Sequence, residues 1–66
     1  MNNTWYEVFI DKGEEEGTET IFKSEIEEEA VQYAEAYQQS NPMLSVHCDK
    51  WELDATGTPM PVLELL

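Results

Sequence analysis

Apolar positions along this chain recur first with period two, then with the period of a helix, then with period two again. From Thr4 to Asp11, TWYEVFID, the side chains alternate, with Tyr6, Val8 and Ile10 on one side and Trp5, Glu7 and Phe9 on the other, as in a strand. The run DKGEEEG turns the chain, and Thr18 to Lys23, TETIFK, continues with Thr20 and Phe22 on one face and Glu19, Ile21 and Lys23 on the other. These two segments predict a hairpin. Between Ser24 and Asn41 the pattern becomes helical. At about 100° per residue, Ile26, Ala30, Tyr33, Ala34 and Tyr37 form one stripe flanked by Val31, and Glu25, Glu28, Gln32, Glu35 and Gln39 lie opposite. Ser24 and Glu27 have the spacing of a capping box at the start of this helix. At its end, Asn41 tolerates a left-handed conformation and Pro42 cannot continue the ladder.

Met43 to Leu53, MLSVHCDKWEL, predicts a third strand whose apolar parity changes partway, from Leu44, Val46 and Cys48 to Trp51 and Leu53. A bulge near Asp49 and Lys50 would turn Trp51 toward the helix; without one, Trp51 and Leu53 face away from it. Asp54 to Pro59, DATGTP, reads as a turn, and Pro61 to Leu66 as a short edge strand. The expected fold is therefore α+β, β-β-α-β-β, with one amphipathic helix on one face of a four-stranded antiparallel sheet of order 2-1-3-4 and a right-handed crossover. The helix stripe would meet Tyr6, Val8, Ile10, Phe22, Val46 and Cys48. No second helix remains for the opposite face, where Trp5, Phe9, Ile21 and, without the bulge, Trp51 are expected.

The chain has 66 residues, enough for a single small acidic domain over residues 1–66 that buries about 60% of its unfolded surface. With one cysteine, Cys48, it has no intrachain disulfide, which leaves oligomerisation as the staple for a core this small. The beginning, MNNTWYEVFID, shows neither a basic end nor a signal-length apolar run, and no stretch has the roughly 20 apolar residues of a bilayer span, so a cytoplasmic protein without membrane contact is expected. Fifteen acids stand against three lysines and no arginine, a net charge of −12, which disfavours direct binding to nucleic acid or anionic lipid. The charge points to a basic partner, or to none.

His47, Cys48 and Asp49 put a base, a nucleophile and an acid side by side, but neighbours on a strand face opposite ways, and His47 with Asp49 supplies only two metal ligands. The loop acids Glu14, Glu15 and Glu16 lack EF-hand spacing. No catalytic, metal or cofactor site is expected. Two readings follow from the pattern. In the first, the chain is a non-catalytic protein–protein interaction or assembly module, with Trp5, Phe9, Ile21 and Trp51 as the interface and a homodimer as the simplest form. In the alternative, Glu14, Glu15, Glu16, Glu19, Glu25, Glu28, Glu29 and Glu35 form an acidic face that mimics nucleic acid and inhibits a protein by occupying its basic groove.

Overall fold

A computed structural model describes residues 3–66; the part of the chain start considered for a leader, Met1 and Asn2, lies outside them. The elements are β1 (Thr4–Asp11), β2 (Thr18–Ser24), α1 (Glu27–Ser40), β3 (Ser45–Leu53) and β4 (Pro59–Glu64). All sheet neighbours are antiparallel in the order β2-β1-β3-β4, and α1 packs across β3, β1 and β2, which is the expected α+β arrangement. The molecule is only 15 Å through its thinnest dimension, the depth of one helix on one sheet. Among the described residues, no helix is long and apolar enough to cross a membrane.

The buried cluster lies between sheet and helix: Val8, Ile10, Val46 and Cys48 from the strands meet Ala30 and Ala34 from α1. Val8, Cys48, Ala30 and Ala34 have no exposed surface at all. Alanine at i and i+4 lets the helix backbone approach the sheet closely, so larger residues must flank the contact instead of filling it. Tyr33 accordingly stacks on Phe22 with ring centroids 4.2 Å apart and stays 37% exposed. The stripe expected from the sequence is thus narrower in the fold, with Ala30 and Ala34 at its centre.

The helix ends differ from expectation for local reasons. Ser24 is the last residue of β2, paired with Tyr6, and cannot also cap the helix. Its Oγ accepts the Ile26 N–H at 3.0 Å, Ile26 occupies the N-cap in extended conformation, and the capping box does not form. Ile26 is therefore off the helical stripe and 56% exposed. At the other end Asn41 has φ −133°, outside the left-handed region. It closes the helix by donating both its backbone N–H and its side-chain Nδ2 to the Tyr37 carbonyl. Gln38 then ties the helix to β3: its Nε2 donates to the Leu44 carbonyl at 2.7 Å and the Asn41 carbonyl at 3.2 Å, while its Oε1 accepts the Val46 N–H.

Two bulges decide which way side chains face, and neither lies in β3. The β1–β3 ladder runs without a shift from Thr4 opposite Glu52 to Asp11 opposite Ser45, so Trp51 faces away from the helix. One shift is in β2, where Val8 pairs with Phe22 and Phe9 with Thr20, leaving Ile21 as the inserted residue. The other is in β4, where Lys50 pairs with Leu63 and Trp51 with Pro61, leaving Val62 inserted. The β3–β4 turn is organised by Asp54, whose Oδ1 accepts from Thr56 N–H, Thr56 O–H and Thr58 N–H, with Gly57 at φ 83°. Those hydrogen bonds favour the ionised carboxyl, that from the Thr56 hydroxyl most, and hold Asp54 below its ordinary range.

Candidate functional site

The sheet face turned away from α1 has no covering layer among the described residues, and its side chains fall into three rows set by strand register. Trp5, Trp51 and Pro61 form the first row across β1, β3 and β4. Lys23, Glu7, Asp49 and Glu64 form the second across all four strands. Thr20, Phe9 and His47 form the third. Carboxylates therefore occupy the middle of the face and aromatic rings bound it on either side.

The rings pair across β1 and β3 and shield one another. Trp5 and Trp51 stack with centroids 6.3 Å apart and planes inclined by 19°, and Phe9 stacks on His47 at 5.1 Å and 23°. All four are half-buried although no further layer covers them among the described residues. Trp5 Nε1 donates to Glu7 Oε2 at 2.8 Å, an i to i+2 contact that exists because both side chains project from the same side of β1. Trp51 Nε1 is buried and has no partner among the described residues, a defect that ordinarily costs about 1–3 kcal/mol.

The central row is electrostatically unfavourable as it stands. Carboxylates directly opposite each other on antiparallel strands repel, and Glu7 faces Asp49, which faces Glu64. Burial pushes the Asp49 carboxyl above its ordinary range, and Glu64 and Glu7 push it the same way against the opposing effect of His47. His47 Nδ1 lies 4.0 Å from Glu64 Oε1, too long for a hydrogen bond. Along β4, from Pro61 of the first row to His47 and Phe9 of the third, Phe9, His47, Asp49, Pro61, Val62, Leu63 and Glu64 line an open depression of about 490 Å³.

Cys48 points into the core, where burial raises its thiol, while His47 and Asp49 point out to the depression. No hydroxyl or thiol nucleophile lines that depression, and its openness leaves it in water, where hydrogen-bonded charges stabilise a transition state poorly. Among the described residues, no three of His, Cys, Asp and Glu converge closely enough for a metal ion. What the face presents is a row of carboxylates flanked by aromatic rings, a setting whose chemistry suits a flat organic cation.

Of the expected interface residues, the fold brings Trp5, Phe9 and Trp51 together. Ile21 leaves the set: as the inserted residue of the β2 bulge it packs against the helix-side cluster. The acids do not form one continuous face. Glu25 precedes α1, and the helix runs back along β2, so Glu25, Glu28 and Glu29 lie at the opposite end of that strand from Glu14, Glu15 and Glu16, about 20 Å away. Glu35 sits between these groups, and Glu19 is engaged by Lys12 Nζ at 2.6 Å. The sequence reading overlooked Glu7, Asp49 and Glu64 as a group. Glu7 was visible between Trp5 and Phe9, but its partners depend on the β1–β3 register and, for Glu64, on the Val62 bulge that reverses parity in β4. Comparison of the chain with protein-family models, curated proteins and solved structures found no match, so the reading of this face rests on its own geometry.

Proposed function

We propose that this chain acts by protein–protein contact through the open sheet face, without catalysis or cofactor. The observation that supports the reading is a sheet side bearing Trp5, Phe9, His47 and Trp51 with no second layer over it among the described residues. Tryptophan set among carboxylates suits recognition, because a large flat ring loses little side-chain entropy on binding. Contact through the face rather than the sheet edges fits the edge strands. Pro59 and Pro61 lack the N–H groups that an added strand would pair with on β4, and β2 carries Glu19, Lys23 and a bulge.

Self-association through this face is the simplest form of the reading, but a second copy would set the Glu7, Asp49 and Glu64 row against its own like charges. A different chain is the better match. The nucleic-acid-mimic alternative draws less support, since the acids it needs are divided between two ends of the molecule. A benzophenone cross-linker placed at Phe9, with Gln32 on the exposed helix surface as control, tests the proposal in cells. Adducts from position 9 and not 32 are expected; adducts from 32 alone would sink it. A product of twice the chain's own mass would restore the homodimer.

A further inference from the structure

The charge on the open face says more about its partner than the rings alone. The three carboxylates of Glu7, Asp49 and Glu64 stand on adjacent strands in one row. Neighbours across antiparallel strands lie about 5 Å apart at Cβ, close enough for one planar guanidinium to bridge two carboxylates with its fork of N–H donors. Glu7 uses only Oε2 to accept from Trp5, so Oε1 remains free to accept another donor. On either side, the Trp5–Trp51 and Phe9–His47 stacks offer ring surface to a delocalised cation, which guanidinium uses better than ammonium does. Within the row the one positive side chain is Lys23, at the β2 end beside Glu7, and it makes no ion pair within 4.0 Å among the described residues. The row is left with one positive and three negative groups, and its charge is unbalanced until something binds.

We infer that the open face binds an arginine-bearing extended segment of another protein, with a guanidinium seated on the Glu7–Asp49–Glu64 row between the two aromatic stacks. This rests on the reading of the face as an interface and adds the chemistry of the partner. Charge complementarity selects this occupant over a second copy of the chain, which has no arginine. Lysine would neutralise the row without bridging it or stacking flat on the rings.

The test is a titration of the full chain, labelled for amide chemical-shift mapping, with short peptides alternating valine and arginine, and with their lysine, glutamine and glutamate versions. It is run near 0.15 M salt, where diffuse attraction to the acidic surface is largely screened. The arginine peptide is expected to shift β1 and β3 amides around Glu7 and Asp49, and to bind several-fold more tightly than the lysine peptide. Combining Glu7→Gln, Asp49→Asn and Glu64→Gln should weaken it by about tenfold or more, since charge-assisted pairs to two or more carboxylates are lost. The same charge change made in the hairpin loop, with Glu14→Gln, Glu15→Gln and Glu16→Gln, should leave affinity within about twofold, as expected for distant exposed charges. Equal weakening in the two triple variants would mean attraction to bulk charge and would overturn the inference. Shifts on this face from the glutamine peptide alone would overturn the choice of arginine while leaving the face as an interface. If no peptide moves the face, both readings fail.

Discussion

Val8 and Glu7 are consecutive residues on β1, yet one has no exposed surface and the other stands in a row of like charges. The two sides of a single sheet obey different rules here. On the helix side small alanines bring α1 close, six residues are buried together, and Gln38 anchors the junction with β3. On the open side the rings shield one another, carboxylates face carboxylates, and a buried indole N–H has no acceptor among the described residues. The first side follows what stability asks of a small domain. The second departs from it in charge placement and polar satisfaction, a departure that the proposed contact would account for.

The contrast is tested most directly by placing a disruptive polar substitution on each side. Ala34→Asp puts an unpaired charge into fully closed packing and should cost about 4 kcal/mol or more, enough to abolish cooperative unfolding by circular dichroism in a domain this small. Phe9→Thr, on the open side, should leave a cooperative transition weakened by about 1 kcal/mol. Similar losses at the two positions would show that the faces are not energetically distinct.

A smaller effect sharpens how the closed side is held. Gln38→Ala removes the contacts to Asn41, Leu44 and Val46 and should lower stability by about 1–2 kcal/mol in urea, against a change within about 0.5 kcal/mol for its exposed neighbour, Gln39→Ala. An unchanged urea midpoint for Gln38→Ala would show that packing alone joins α1 to β3.

The smallest effect separates the open face from the β3–β4 turn by the sign of its pH dependence. Asp49 has a folded-state pKa above its ordinary 3.8, so its contribution is fully present below that value and lost as pH rises through the raised one. Asp49→Asn should therefore raise the urea midpoint at pH 7 and lose that advantage near pH 3. Asp54 is shifted the other way: its contribution is present above 3.8 and lost as pH falls through the lowered folded value. Asp54→Ala should lower the midpoint at pH 7, with the deficit shrinking in acid. If both variants shift the midpoint in the same direction at pH 7, the electrostatic account of one of them is wrong.

Much of the architecture could be read from periodicity because both periods are clean. Thr4 to Asp11 alternates without interruption, and Ala30 and Ala34 sit one helical turn apart in a segment with nothing else to bury. Strand order followed from a helix that must cross over the sheet. The misplaced details are those where one residue had two claims on it: Ser24 is both a capping residue and a strand end, and its pairing with Tyr6 won. Ile21 looked like an open-face residue until the β2 bulge removed it from the alternation.

By itself the sequence determined the element order, the covered face of the sheet and an acidic chain with aromatics left over. Only the tertiary structure decided that Glu7, Asp49 and Glu64 share a row between two aromatic stacks, and that the loop acids and the helix acids stand at opposite ends. The reason is that composition and period specify a side chain's face, whereas its cross-strand neighbour depends on register. Here Glu7 meets Asp49 through an unshifted β1–β3 ladder, whereas the pairings of β2 and β4 turn on single-residue bulges at Ile21 and Val62, which leave no local mark in a pattern of period two.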